Sequence, residues 1–388
     1  MGVAERSIDG IVPSRVVRPD TTESLAAAIT DAHERREAVV LWGGGTRIDV
    51  GDPPERYDVA IELGDLRGVV EHSPPDLVCT VRAGTTLAEL DRALRATGQR
   101  WPVEAPCPER ATVGGTIAGA AAGPSRLRYQ HPRDWILGCR AVLGDGTLTK
   151  AGGRVVKNVT GYDLTRLYSG TYGTLVALAE ITLKLVALPE RTLTLRADLP
   201  DVSSALRFAA DLRAARLPLD ALAIVAGPAA RAMGPGIAGV FVRVAGPAAA
   251  VDRVARAVRD AGANEADGNV WTRIATLPVE RAEVARAAWP AGHQPPYGLD
   301  LSSALVYPGD GIAFLLAPIA PDAFRGMRAR LVAGGGALVV ERASVDHKRA
   351  VGGAWGPSAA PHRIARALKE RFDPRGVLAP GRMPLASS

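Results

Sequence analysis

Short apolar runs alternate with polar, helix-forming stretches through the first half of the chain, and glycine closes nearly every run. Ala38-Val-Val-Leu-Trp42 is a buried strand that leads straight into Gly43-Gly44-Gly45. Ahead of it, Thr22-Glu23-Ser24-Leu25 opens a helix toward Arg36, with hydroxyls placed to cap its free N–H groups. Further strands are expected at 59–63, 69–71 and 77–82, followed by a helix at 87–97. Gly144-Asp145-Gly146, between expected strands at 136–143 and 147–150, predicts a hairpin. Residues 7–188 therefore read as one α+β domain.

Beyond Pro189 the pattern changes. Strands are expected at 192–197, 221–226 and 239–244 and helices at 202–214 and 248–261, which suits a split βαβ arrangement with an antiparallel sheet. The stretch 262–297 is less regular, with a helix expected at 278–288. After it come strands at 301–307 and 312–316, a helix at 322–332, a strand at 337–341 and a helix at 361–372 that stops before Asp373-Pro374. No repeat period is visible. The expected domains are 1–188, a smaller α/β cap at 189–335, and a C-terminal segment, 336–388.

Composition narrows the classes. A chain of 388 residues exceeds the ~250 at which single cores stop growing, and 47% hydrophobic with 23% charged residues is ordinary globular usage. The net charge of +6 comes from arginines scattered along the chain, never a basic block, so no nucleic acid partner is expected. The same excess suits a diphosphate cofactor, a carboxylate substrate or an acidic partner protein. Cys79, Cys107 and Cys139 form no C-x-x-C, so the chain cannot itself hold a four-cysteine iron–sulfur cluster or a thiolate zinc site. The start Met-Gly-Val-Ala-Glu lacks the features of a signal peptide, and the alanine-rich 117–123 is too short to span a bilayer. A cytoplasmic protein without a transmembrane segment is expected, with docking on a membrane partner left open.

Three segments carry candidate chemistry. Gly43, Gly44, Gly45 and Thr46 could present several backbone N–H groups to a diphosphate with no Cβ in the way, or could form an ordinary turn. No helix pattern starts directly after them, so this is not the dinucleotide fingerprint of a nicotinamide fold. In Ala111-Thr-Val-Gly-Gly-Thr-Ile-Ala-Gly, a hydroxyl and paired glycines precede a helix of small residues. Thr112, Gly114 and Gly115 could meet a flavin, or the small residues could serve close helix packing. In Lys157-Asn-Val-Thr-Gly-Tyr-Asp-Leu and Gly170-Thr-Tyr-Gly-Thr-Leu-Val176, polar residues around free glycines suggest a pocket wall, although Tyr162 and Asp163 could simply pack against and cap the next helix.

In this order and spacing the three segments resemble the FAD-binding domain of the vanillyl-alcohol oxidase and p-cresol methylhydroxylase (PCMH) family over about half the chain. More narrowly, Lys157-Asn-Val-Thr-Gly-Tyr-Asp-Leu164, Arg133-Asp-Trp-Ile-Leu-Gly138 and Phe372-Asp-Pro…Pro380-Gly-Arg-Met383 look like FAD-binding subunits of bacterial glycolate oxidases, nearly end to end. The resemblance implies an α+β fold with a two-part PCMH-type FAD-binding domain, then the cap with its antiparallel sheet and a segment returning to the flavin. It implies FAD held by Gly43, Gly44, Gly45, Thr46, Thr112, Gly114, Gly115, Gly161, Gly173 and Val176. Thr46-Arg47 stands where covalent members place a histidine, so non-covalent FAD is expected. Relatives carry asparagine before Pro-Gly where this chain has Ala379, so a contact to the flavin is expected to be lost.

The histidine-rich metal motif of related catalytic subunits is missing. The six histidines are isolated, and only His347 and His362, flanking 351–356, are candidates to lie near the flavin. No catalytic base can be named and no metal site is expected. The activity implied is oxidation of glycolate, a 2-hydroxy acid, to glyoxylate by hydride transfer to flavin. Electrons would pass to a larger flavin subunit and an iron–sulfur subunit. A stand-alone FAD oxidase of another alcohol, lactone or hydroxy acid, and a non-catalytic FAD-binding relay or structural subunit, are the alternatives.

Overall fold

Thr21 and Ser24 cap the first long helix, Thr22–Arg35, reciprocally: each side-chain oxygen accepts the other residue's backbone N–H at 3.0 Å. One face of this helix, with Leu25, Ile29 and Ala32 fully buried, packs on Val39, Val59 and Ile61 and also on Val142, Ala177 and Ala179. It thus lies in the core shared by two sheets. The computed structural model describes residues 3–121, 123–154, 162–296, 298–356 and 362–383. The chain divides into one unit of 1–122, 131–188 and 357–388, and another of 123–130 and 189–356.

In the first unit a three-stranded parallel sheet runs Arg15–Val17, Val59–Glu62, Val39–Trp42. The second sheet is five-stranded and antiparallel, in the order Val69–Ser73, Val78–Arg82, Ala177–Lys184, Ile136–Val142, Leu148–Gly152. The last two strands are the expected hairpin around 144–146. The C-terminal segment comes back to the parallel sheet: the N–H of Val39 donates to Val377 O and the N–H of Ala379 to Val39 O, both at 2.8 Å. Asp373 fixes the turn that precedes it, accepting the N–H groups of Val377 at 2.9 Å and Leu378 at 2.8 Å. Gly144 makes room for that carboxylate, since a Cβ there would sit 2.2 Å from an Asp373 oxygen.

The second unit is built on an eight-stranded antiparallel sheet. Its first half is Asn264–Glu265, Arg191–Leu199, Ala238–Gly246, Ala221–Ala226, which is the expected split βαβ wiring. The second half, Ala304–Tyr307, Ile312–Leu315, Val284–Ala288, Ala337–Arg342, has the same order read from the opposite edge. A repeat of wiring exists where the sequence shows no repeat of residues. Ala221–Ala226 is buried on both faces, with Leu222 and Ile224 in one core and Ala221, Ala223 and Val225 in the other. The first core is covered by Val202–Ala214, Ala248–Asp260 and Pro321–Ala333; Val270–Thr276 covers the second.

The α+β class holds, with three departures. Residues 278–288 are not a helix: Val284–Ala288 is a strand between Ile312–Leu315 and Ala337–Arg342. The irregular stretch 262–297 contains the helix Val270–Thr276. The strand Ala337–Arg342, read as part of the returning segment, pairs within the sheet of the second unit.

One exposed position stores removable strain. Arg36 ends the first helix at φ 57°, ψ 33°, a left-handed conformation that a Cβ disfavours. Arg36→Gly should stabilise the protein by about 0.5–1 kcal/mol, the strain relieved less the entropy glycine adds to the unfolded chain. An unchanged urea midpoint would contradict this.

Candidate functional site

Val39–Trp42 delivers the chain into 43–46, where backbone packs directly on the neighbouring segment 110–112. A Cβ on Gly44 would lie 1.7 Å from Arg110 O, and one on Gly43 would lie 2.4 Å from Thr112 Oγ1. Gly45 takes φ +68°, and a Cβ there would lie 3.2 Å from the Trp42 ring. Among the described residues, the N–H groups of Gly44, Gly45 and Thr46 donate to no protein acceptor. A side-chain-free turn with unspent N–H groups is what an anion-binding nest requires.

The second wall is the short helix Val113–Ala118, capped by Thr112, whose Oγ1 accepts the Gly115 N–H at 3.1 Å. The glycines expected before the helix lie in its first turn, and the helix of small residues ends at Ala118. Its leading N–H groups are spent internally, Val113 on Thr85 O and Gly114 on Ala83 O, both at 2.9 Å. A Cβ on Gly114 would meet Ala83 Cβ at 2.8 Å, whereas one on Gly115 would meet only Thr112 Oγ1. Gly114 serves the close packing that was one of the two alternatives, whereas Gly115 borders open space.

The third wall is the turn 170–176. Gly170 and Tyr172 donate to Ile117 O at 3.1 Å and Ala118 O at 2.8 Å, tying it to the second wall, and Tyr172 and Gly173 are consecutively left-handed. Gly161 and residues 155–160 of its motif lie outside the described residues. Asp163 caps Leu164–Tyr168 through the Arg166 N–H, while Tyr162 is 93% exposed rather than packed.

The walls border an open-mouthed cavity that continues into solvent. Gly43, Gly44, Gly45, Thr46, Thr112, Gly114, Gly115, Gly173 and Val176 all line it. Apolar side chains join them from Val40, Leu41, Leu63, Ala118 and Leu178. Three polar residues were not anticipated. Arg47 donates to the Tyr172 hydroxyl at 3.3 Å, and Arg382 reaches in from the C-terminal segment. Arg382 donates to Ile48 O and Val50 O, both at 2.5 Å, and burial lowers its pKa. Two guanidiniums beside bare N–H groups suit a diphosphate. The signal for Arg382 was present in Pro380-Gly-Arg-Met383, but nothing in the sequence brings that residue to Ile48.

Ala379 is not among the lining residues; it is buried with Val40, Trp42 and Tyr57 at φ +45°. Asparagine adopts that backbone conformation more readily than alanine, so the position has a conformational meaning separate from any ligand. His347 stacks edge-on against Phe324, 5.8 Å between ring centres, and 351–354 is held by Arg328 within the second unit. Among the described residues no group of three metal-ligating side chains exists. Burial pushes the Cys79 thiol up to about 11 and Cys139 up to about 12. Both thiols should therefore resist iodoacetamide at pH 8 in the native protein and react only after denaturation, as peptide mass mapping would show.

Residues 13–152 match the FAD binding domain family. The chain is 29% identical to glycolate oxidase subunit GlcE of Escherichia coli (strain K12), over 94% of this chain and 97% of that protein. It is 31% identical to glycolate oxidase subunit GlcD of Bacillus subtilis (strain 168), but over 53% of this chain and 44% of that protein. Among solved structures, p-cresol methylhydroxylase with substrate bound superposes with TM-score 0.72 over 95% of this chain and 88% of that one, at 16% identity. An alkyldihydroxyacetonephosphate synthase superposes with TM-score 0.70 over 95% and 77%, at 17% identity. No helix among the described residues is long and apolar enough to cross a membrane.

Proposed function

We propose that the chain, whose residues 13–152 match the FAD binding domain family, is the FAD-binding subunit of a glycolate oxidase-type complex. The coarser statement, an FAD-linked oxidoreductase, is supported by that match together with the similarity to the two glycolate oxidase subunits. The finer one is supported by similarity to GlcE along nearly the whole of both chains, and the observation that carries it is the single cavity lined by nine of the expected cofactor residues. The partners proposed are a larger flavin subunit and an iron–sulfur subunit, and the setting is cytoplasmic.

In this reading the N–H groups of Gly44, Gly45 and Thr46, with Arg47 and Arg382, hold the diphosphate of non-covalent FAD. Gly115 and Gly173 leave room for its close approach, and Val176 supplies apolar contact. Bound FAD would supply the two-electron acceptor for oxidation of a hydroxyl-bearing carbon. The chain's own share is positioning and charge compensation in a site partly walled off from water.

Among the described residues, those lining the cavity include no carboxylate and no histidine to act as a base. That favours a second reading, an FAD-binding relay subunit whose substrate chemistry belongs to a partner. Purification of the chain alone, followed by a visible spectrum and acid precipitation, tests the common premise. A yellow protein that releases its flavin into the supernatant is expected; a colourless protein that binds no added FAD would refute both readings. Adding glycolate to the assembled complex separates them: bleaching of this subunit's flavin in a complex whose partner flavin has been removed rules out the relay.

A further inference from the structure

The cavity walls are joined by a group that belongs to none of them. Lys369, in the last turn of the helix His362–Phe372, directs its ammonium to Thr174 O at 2.6 Å, Leu378 O at 2.6 Å and the Asp373 carboxylate at 2.5 Å. An ammonium has three donors, and these contacts engage all of them. Thr174 directly follows Gly173 and stands two residues before Val176, both on the cavity wall. Leu378 lies between Val377 and Ala379, whose backbone groups bond Val39 at the start of the strand that supplies Val40 and Leu41 to the same cavity. The Asp373 side chain is fully buried and also takes the N–H groups of Val377 and Leu378. Four residues past Leu378, Arg382 closes the exit of the glycine turn through Ile48 and Val50.

Taking the cavity as the FAD site, we propose that Lys369 is a positioning residue for the cofactor, coupling FAD binding to docking of segment 377–382. A ligand that rests on both the glycine turn and the turn 170–176 needs them at a fixed separation. Lys369 sets that separation through two carbonyls, one on each side. Burying a charge is costly unless every donor is satisfied, and a network satisfied throughout specifies one arrangement of the backbone that supplies its acceptors. Linkage then requires reciprocity: the factor by which docking of the segment tightens FAD equals the factor by which FAD resists its undocking. A merely structural Lys369 would stabilise the segment equally with and without FAD.

The test uses the full chain, apo and FAD-saturated, with hydrogen exchange read at the Leu378 and Ala379 amides and FAD affinity read by fluorescence titration. In the wild type, FAD should slow exchange there at least tenfold. K369M should bind FAD at least tenfold more weakly and lose most of that protection, and K369R should recover most of both. Equal exchange with and without FAD in the wild type overturns the proposal, and needs no variant to fold. So does a K369M affinity within twofold of wild type. A wild-type chain that binds no FAD removes the cofactor reading and this inference together; a wild type that binds FAD with no change in exchange removes this inference alone.

Discussion

Gly44→Ala is expected to cost the protein its flavin and a large part of the stability of its first unit. The new Cβ would lie 1.7 Å from Arg110 O, 2.4 Å from the carbonyl carbon and 3.2 Å from Ala111 N. These are backbone atoms on both sides, so no rotamer change relieves the overlap. Either the glycine turn or the segment 110–112 must move by more than an ångström, and both border the cavity. Overpacking a close-packed site costs ~1–3 kcal/mol, and backbone against backbone belongs at or above the upper end, about 3 kcal/mol. That corresponds to roughly 6–12 °C in Tm for a cooperative unit of ~150–250 residues. Thermal unfolding and flavin content per chain measure the two effects. Gly115→Ala is the companion: its Cβ meets only Thr112 Oγ1, at 3.0 Å, and alanine is the better helix former by ~1 kcal/mol. Its Tm should hold or rise while FAD affinity falls at least tenfold. Unchanged affinity would mean that this wall does not touch the cofactor.

The second large effect is in the other unit. Arg328 is 4% exposed, lies over the Phe324 ring, and donates to Leu338 O, Val351 O, Gly353 O and Ala354 O at 2.7–3.1 Å. One guanidinium thereby pins 351–354 to the end of the sheet. Arg328→Met keeps much of the stem but leaves four acceptors to be met by water or not at all, a loss of about 3–5 kcal/mol. Arg328→Lys should recover little, because a compact ammonium cannot span four carbonyls that a planar fork reaches. Calorimetry of the full chain measures the shift. A loss under about 1 kcal/mol would mean that the loop finds other donors.

Local pattern carried the fold wherever burial agreed with propensity. Ala221–Ala226 and Val202–Ala214 end where their periodicity ends. The stretch around 278–288 was misread because Glu-Arg-Ala-Glu-Val-Ala-Arg-Ala-Ala is rich in helix formers. In the fold, Val284, Ala285 and Ala287 are buried in a strand paired on both sides, so tertiary contacts outweigh propensity. The strand Arg15–Val17 escaped notice because it is three residues long and only half-buried. At the site, glycines were legible because a missing side chain is visible in a sequence. What each glycine avoids is not: Gly44 avoids Arg110, and Gly114 avoids Ala83. Arg382 and Lys369 went unassigned because each reaches a carbonyl in a distant part of the chain, Ile48 O and Thr174 O.

The return of 377–382 to the strand Val39–Trp42 sets an order of events during synthesis. Val39 and the glycine turn leave the ribosome long before the residues that flank them, since Arg382 is 334 positions from Ile48. The nascent chain therefore carries the parallel sheet with Val39 unpaired on one side and the second unit still to be made. Domains generally fold as they emerge, and here that rule fails for the first unit: it waits for the second to be translated before its own sheet can close. A nascent chain stalled within the second unit should remain sensitive to protease around 39–50, and release of the finished chain should remove that sensitivity.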